Sequence, residues 1–308
     1  MGNCLKTQLK EVVNNPELVP IGYLRFKTET ITITDANAQQ KLFLEASSPV
    51  TITSTDGGYF ADSLAGLETA PLTSKTFSSP FIELWFPNGN YTYQISDKYS
   101  IKQFGQPGSN IYASMFSLDI DEFAYTNGII SITVKLNNKS KGNLKSLVGK
   151  TALLTFKCEG SSVSGDIANL SELTGLTSVE ISSLCYGNVS SLSALTNIES
   201  LVLNNISIVG DTTSLGVFNK MVSCTLTHSG ISGGISGFAG CTSLVNLAID
   251  DTSVAGEISY LAEAMNAGRN SGTLHIYCGM SNVTHEDNPI NHADINFNNG
   301  SYTITNVY

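Results

Sequence analysis

The sequence predicts a mainly β chain: an N-terminal antiparallel β domain over residues 19–116, followed by a solenoid of short strands and helical or 3₁₀ turns over 117–280. Three observations carry this. Gly-led triplets recur at a near-constant spacing, apolar residues follow each triplet in a fixed order, and the first third of the chain instead alternates apolar with polar residues. Residues 1–18 read as a separate leading segment and residues 281–308 as a closing cap with a hairpin.

The triplets are Gly142-Asn143-Leu144, Gly165-Asp166-Ile167, Gly187-Asn188-Val189, Gly210-Asp211-Thr212, Gly233-Gly234-Ile235 and Gly256-Glu257-Ile258, in steps of 22 or 23 residues. A fixed period of this size is the signature of a stacked repeat. Behind one triplet come Ile167, Leu170, Leu173, Leu176, Val179 and Ile181, and behind the next Val189, Leu192, Leu195, Ile198, Leu201 and Leu203. Steps of three suit a 3₁₀ turn, and the final step of two is strand alternation. Each unit therefore reads as a turn of coil plus one short strand. One unit cannot bury its apolar side alone, so the units must stack and line their strands into a parallel sheet. The template extends backward through Leu144, Leu147, Leu153, Phe156 and Cys158 to Ile120, Phe123, Ile129, Ile132 and Val134, which makes about seven units. The recurring Gly predicts a bend with positive φ or close backbone approach.

The order Leu-x-x-Leu-x-Leu followed by Gly-x-Ile resembles that of leucine-rich repeats, and Phe238-Ala239-Gly240-Cys241-Thr242-Ser243-Leu244 resembles the BspA-like variety found in Bacteroidota surface proteins. The resemblance covers about half of the chain and implies a surface for binding rather than an enzyme. Where many such repeats place a buried Asn, this chain has Ser161, Leu184, Ile206, Ser229 and Thr252. Without an Asn ladder the side opposite the strands is expected to be less regular.

Residues flanking the last core position of each strand should point outward and form the default ligand surface. They include Lys157, Glu159, Glu180, Asn204, Thr225, Asp250, His275 and Tyr277. This face is mixed in charge and carries no Trp or Arg anchor of the kind that dominates interfaces. Beyond Ile258, Leu261–Ala267 reads as a helix. Asp294–Ile304 then reads as a hairpin about Asn299-Gly300, and the two would cap the open end of the stack.

In the first third, Tyr23–Phe26, Thr30–Thr34, Leu42–Leu44 and Val50–Ile52 alternate as strands do. Phe81–Phe86 and Tyr91–Ile95 flank Pro87-Asn88-Gly89-Asn90, a hairpin signal, and residues 61–80 read as a long loop. A small sandwich or half-barrel follows. Ahead of it, Leu5, Leu9, Val12 and Val13 share one helical face, the pattern of a docking peptide. The stretch Cys4–Asn15, the β segment Ile95–Ile101 and the Gly-Asp-Ile repeats together are similar to virion proteins of crAss-like Bacteroidota phages. That likeness implies docking of the leading peptide onto a capsid or tail component, with the repeats projecting.

Composition excludes several classes. The net charge is −10 and no Lys/Arg run interrupts it, so a phosphate track for nucleic acid is not expected. No apolar stretch is long enough for a bilayer, and the N-terminus lacks the apolar core of a signal peptide. Lys6 stands where an acylation pattern built on Gly2 would need Ser or Thr. The six cysteines are scattered without a CxxC pair, which disfavours zinc or a disulfide framework. The one cluster with metal-binding residue types is His285-Glu286-Asp287 with His292 and Asp294, and its spacing matches no known site. No catalytic residue, metal or cofactor is expected. The expected function is a phage virion structural protein, a decoration, head-fibre or tail-fibre component. Its expected partners are other virion proteins and a host-surface protein or glycan, with a homo-oligomer left open. Alternatives are a bacterial cell-surface adhesin and a virion-borne polysaccharide depolymerase.

Overall fold

The computed structural model describes residues 23–28, 40–105, 116–124, 126, 128–133, 139–158, 161–181, 184–205 and 207–308. The expected docking residues Leu5, Leu9, Val12 and Val13, the expected strand at Thr30–Thr34 and the face residue Glu159 lie outside them.

The N-terminal strands are β1 (Leu24–Thr28), β2 (Gln40–Ala46), β3 (Val50–Ser54), β4 (Ser74–Phe77), β5 (Phe81–Phe86), β6 (Thr92–Ile95), β7 (Ile101–Gly105) and β8 (Phe116–Leu118). One sheet runs β4-β3-β6-β1-β8, and a second layer begins β5-β2-β7. Aromatic rings fill the space between them: Phe26 meets Phe86 and Phe104 with centroids 5.7 and 5.6 Å apart, and Phe86 meets Tyr93 at 4.7 Å. Two expectations fail here. β5 and β6 do not pair as a hairpin; β5 pairs with β2, and β6 with β1 and β3. Both strands bury alternate residues, and contact between Phe86 and Tyr93 is made across the sandwich, so the Pro87–Asn90 link carries the chain from one layer to the other. Residues 61–80 also hold more order than a loop, with helix α1 (Leu64–Thr69) capped by the Ser63 hydroxyl, followed by β4.

The solenoid follows without a break in the core. Its strands alternate between two sheets. On the first face lie β9 (Ser131–Thr133), β11 (Thr155–Lys157), β13 (Ser178–Ile181), β15 (Ser200–Leu203), β17 (Ser223–Thr225), β19 (Asn246–Ala248) and β21 (Ser271–Tyr277). On the second lie β10 (Lys141–Asn143), β12 (Ser162–Asp166), β14 (Leu184–Asn188), β16 (Ile208–Asp211), β18 (Gly230–Gly234), β20 (Ser253–Glu257) and β22 (Asn282–His285). β7 pairs in parallel with β9, so the second layer of the sandwich becomes one twelve-stranded sheet with the first face. A parallel bridge between Asp119 and Lys141 links the other layer to the second face. Phe123 of the first unit packs 5.9 Å from Phe104 of the sandwich, and one apolar cluster runs from Leu24 to Phe297.

Each unit thus holds two short strands, not one, and the side opposite the first face is regular. Its order needs no Asn ladder. The hydroxyls of Ser161, Ser229 and Thr252 donate to the carbonyls of Cys158, Leu226 and Ile249 at 2.8, 2.6 and 2.7 Å, which satisfies the buried bend that the Asn would otherwise serve.

In four of the six triplets a Gly-Asx pair has a double role. Asn143, Asp166, Asn188 and Asp211 cap the 3₁₀ turns that begin at the next residue, each accepting from the backbone N–H two residues on at 2.9 Å. The Gly of the next unit lies against that cap. At Gly210, φ is +134°, and an added Cβ would stand 2.7 Å from Asn188 Oδ1; at Gly165, with φ +124°, it would stand 2.8 Å from Asn143 Oδ1. Both conformation and space therefore demand glycine.

The last unit carries helix α2 (Ile258–Asn266) in place of a 3₁₀ turn, and the end of the stack is closed by β23 (Asn288–Pro289), β24 (His292–Asn298) and β25 (Ser301–Thr305). The β24–β25 hairpin turns at Asn299 and Gly300, both at positive φ. The side chain of Arg269 ties helix and hairpin together. Its guanidinium donates to the carbonyls of Leu244, Ser271 and Thr273 and lies 4.9 Å from the Phe297 ring.

Candidate functional site

The outward side of the twelve-stranded sheet is the candidate site. Parallel register sets its side chains in rows that cross the strands. Lys157, Glu180, Val202, Thr225, Ala248 and Tyr277 form one row. Thr155, Ser178, Ser200, Ser223, Asn246 and His275 form the row beside it. Strand pairing fixes the step along a row at about 4.8 Å. The structure therefore brings the expected residues Lys157, Glu180, Thr225 and Tyr277 into one line and puts His275 in the next. Asn204 and Asp250 lie past the strand ends, where the chain bends.

The two ends of this face differ. Toward the sandwich, Lys157 and Glu180 neutralise each other across adjacent strands with their charged atoms 3.6 Å apart, and Thr227 donates to Asn204 at 2.9 Å. Toward the cap, β24 pairs with β21 so that Asp294 stands opposite His275 and His292 opposite Tyr277. His275 Nδ1 lies 2.7 Å from Asp294 Oδ1, and Asn306 Nδ2 donates to the other carboxylate oxygen. Burial alone would raise the Asp294 pKa, but the hydrogen bonds from Asn306 and His275 and the neighbouring imidazoles hold it below the ordinary carboxylate value. The ring of His292 is enclosed between Tyr277 and Tyr308, with centroids 4.8 and 5.0 Å away.

This arrangement divides the cluster that the sequence had grouped. His292 and Asp294 face outward from the first sheet beside His275. His285 instead lies on the second sheet, 3.3 Å from Glu257, which also accepts from Thr284. The turn at Glu286 and Asp287, both at positive φ, and the short strand Asn288–Pro289 separate the two groups. Among the described residues, no set of three or more His, Cys, Asp or Glu side chains could hold a metal ion. No described helix is long and apolar enough to cross a membrane.

Sequence reasoning missed Tyr308, Met280 and Asn291 as members of the capped end. The Asn299-Gly300 turn contained a signal for part of it. Counting residue pairs back from a two-residue turn sets Asp294 against Thr305 and brings the last residues of the chain beside β24.

Two sheets of parallel strands alternating with 3₁₀ turns at a 22- or 23-residue period define a leucine-rich-repeat solenoid, here fused to an N-terminal β-sandwich. Among solved structures the chain is similar to an internalin, InlF, of Listeria monocytogenes (17% identity, TM-score 0.39, 54% of this chain and 52% of that one). It is similar also to internalin C2 of the same organism (17% identity, TM-score 0.40, 61% and 83%). A third is the LRR ectodomain of the receptor kinase GASSHO1/SCHENGEN3 from Arabidopsis thaliana, solved in complex with CASPARIAN STRIP INTEGRITY FACTOR 2 (17% identity, TM-score 0.42, 53% and 20%). The chain spans about half the length of the InlF structure. No family model and no curated protein matches it.

Proposed function

We propose that this chain is a binding protein without catalytic activity, whose solenoid presents the outward side of its twelve-stranded sheet to a protein partner. The observation that carries this is the aligned face itself. Six strands hold side chains in unbroken rows, and among the described residues the hydroxyls of Ser178, Ser200 and Ser223 have no hydrogen-bonding partner within the chain. Placing a bulky cation at the middle of a row, as in Thr225→Arg, should abolish capture of the partner while leaving the melting temperature unchanged. Capture by Thr225→Arg equal to that of the wild type would refute the assignment.

We further propose that the setting is a phage particle, on which residues 1–15 dock to a capsid or tail component and the repeats project toward other virion proteins or a host-surface protein or glycan. The similarity of Cys4–Asn15 and Ile95–Ile101 to crAss-like virion proteins supports this reading. Mass spectrometry of purified particles should find the chain, and a truncation lacking residues 1–15 should fold but fail to assemble. Recovery of the chain from the bacterial surface and not from particles would favour a cell-surface adhesin.

A further inference from the structure

Each sheet ends in two outer strands, and an outer strand left open is a template on which another chain can pair. Among the described residues, five of the six sheet edges are short, bonded or charged. β23 spans two residues and ends in Pro289. β10 is three residues long and is bridged at Lys141 by Asp119. β8 is equally short, and its Leu118 N–H donates to Ser140 Oγ at 3.1 Å. β4 carries Lys75. β5 carries Glu83, and its Trp85 exchanges backbone hydrogen bonds in both directions with Ala61. Charge, proline and covering contacts are the devices by which sheet edges are kept from pairing.

β25, the sixth edge, has none of them. Ser301-Tyr302-Thr303-Ile304-Thr305 holds no charge and no proline, and it pairs with β24 alone. The two-residue turn at Asn299 and Gly300 makes Asn298 and Ser301 a hydrogen-bonded pair. By alternation Thr303 and Thr305 also turn their backbone groups toward β24, while the N–H and C=O of Tyr302 and Ile304 point away from the sheet. Among the described residues these outward groups meet no partner. The side chains of Tyr302 and Ile304 rest on the core but are only half-buried, so apolar packing also stops unfinished at this edge. Beyond β25 the chain bends at Asn306, with φ of 52°, which limits the open length to the strand itself.

We propose that β25 pairs antiparallel with the β25 of a second copy of this chain, about a twofold axis at Thr303. In that register Tyr302 faces Ile304 of the second copy and Ile304 faces its Tyr302. Each of these pairs exchanges both backbone hydrogen bonds, so every outward group on the two edges is satisfied. The same pairs set an aromatic ring against a β-branched side chain, a favourable cross-strand combination, and continue the apolar layer of Ile295 and Phe297. The second copy is the occupant because the edge is complementary to itself: its open groups are symmetric about Thr303, and it has no charge with which to select a foreign strand. The opposite end of the sheet, β5, is closed by Ala61, so copies cannot add head to tail and association ends at two. With the axis perpendicular to the sheet, the outward strand faces of both copies lie on one side. The inference does not depend on that face being a binding surface.

Sedimentation velocity of the full chain over a range of concentrations should show a monomer–dimer equilibrium. Thr303→Lys, at an exposed position, sets two ammonium groups opposite each other at the axis. It should leave only monomer at every concentration, with the far-ultraviolet circular dichroism of the wild type. Under mild oxidation Thr303→Cys should form a covalent dimer, because a non-hydrogen-bonded antiparallel pair brings the two sulfurs within disulfide reach. Ser301→Cys should not, since the two copies of residue 301 would stand about 13 Å apart in this register, too far to bridge. A wild type that is monomeric throughout overturns the proposal. So does a Thr303→Lys protein that still dimerises, which would put the contact elsewhere, and so does equal cross-linking of Ser301→Cys and Thr303→Cys. Thr303→Glu repeats the test with the opposite charge if the lysine variant does not fold.

Discussion

In the sandwich, Phe26, Phe60, Phe86, Tyr93 and Phe104 come from five separate stretches of chain and lock into one aromatic group. Each unit of the solenoid instead repeats a short list of aliphatic residues in the same order. The first core depends on contacts distant in sequence; the second is built from neighbours, each unit needing only the one before and after it. Yet the two share the twelve-stranded sheet, the bridge between Asp119 and Lys141, and the Phe104–Phe123 contact. A chain with one core should lose it in one step.

Phe86→Ala tests that union. The ring is buried and touches Phe26, Phe60 and Tyr93, so its removal should cost about 3–5 kcal/mol. Urea denaturation followed both by near-ultraviolet and by far-ultraviolet circular dichroism should show one transition, shifted to lower urea. Two transitions, with the far-ultraviolet midpoint unmoved, would mean that sandwich and solenoid fold independently.

The units nearest the sandwich also depart from the pattern of the central ones. The slot filled by Leu173, Leu195, Phe218 and Cys241 holds Thr126 in the first unit and Lys150 in the second, and Lys150 is only 1% exposed. Burial, with the positive charge of Lys98 added to it, pushes the Lys150 pKa down from 10.5 to about 8. The folded value lies below the unfolded one, so the ammonium opposes folding at every pH below about 8, and stability rises as pH climbs from there toward 10.5. Lys150→Met should therefore stabilise the protein at pH 7 by on the order of 3 kcal/mol, and the gain should fade by pH 10.5. Thermal melts of both proteins across this range would check it; a gain independent of pH would assign it to packing alone.

A third substitution probes the second face of the central units. Gly210→Ala should cost about 2 kcal/mol, because a side chain there is both left-handed in φ and set against the Asn188 cap. Making Asn188→Gly in the same chain should recover the part due to the clash with that cap and leave the parts due to φ and to Val189 Cγ1, which also lies 2.7 Å from the added Cβ. A double-mutant cycle by chemical denaturation separates the cap contact from the rest; strict additivity would show that the Asn188 cap adds nothing to the cost.

What was legible follows from the same contrast. The first-face strands, the turns and the capping hairpin could be read because apolar spacing and the Asn-Gly pair encode them locally. The second-face strands could not. Ser162–Asp166 and Gly230–Gly234 are rich in Ser and Gly, residues of low strand preference, and become strands because stacked neighbours supply their hydrogen bonds. The link at Pro87–Asn90 misled for the opposite reason. It carries a strong local turn signal, but Phe86 and Tyr93 decide the outcome by meeting across the core. Of the candidate face, Lys157, Glu180, Thr225, His275 and Tyr277 were found from strand alternation. Asp294 and His292 were assigned to the wrong neighbours, since their partners are fixed by pairing with β21 and not by closeness in sequence.

The smallest effect concerns the one central unit in which the cap is missing. Gly234 stands where the other triplets have Asn, Asp or Glu, and the 3₁₀ turn at Ile235–Phe238 has no side-chain cap. Its φ of −80° and ψ of 141° match those of the residues that do cap, and an added Cβ meets only Ser236 Oγ, at 3.3 Å. The following Gly256, with φ +115°, leaves the space against this position open. Gly234→Asn should supply the missing acceptor and restrict the unfolded chain, for a gain of about 1 kcal/mol. The gain should appear as a higher urea midpoint with an unchanged slope. If Gly234→Asn is neutral while Asn188→Ala still costs about 1 kcal/mol, the caps of successive units are not equivalent, and the stack would be a graded series in place of a uniform one.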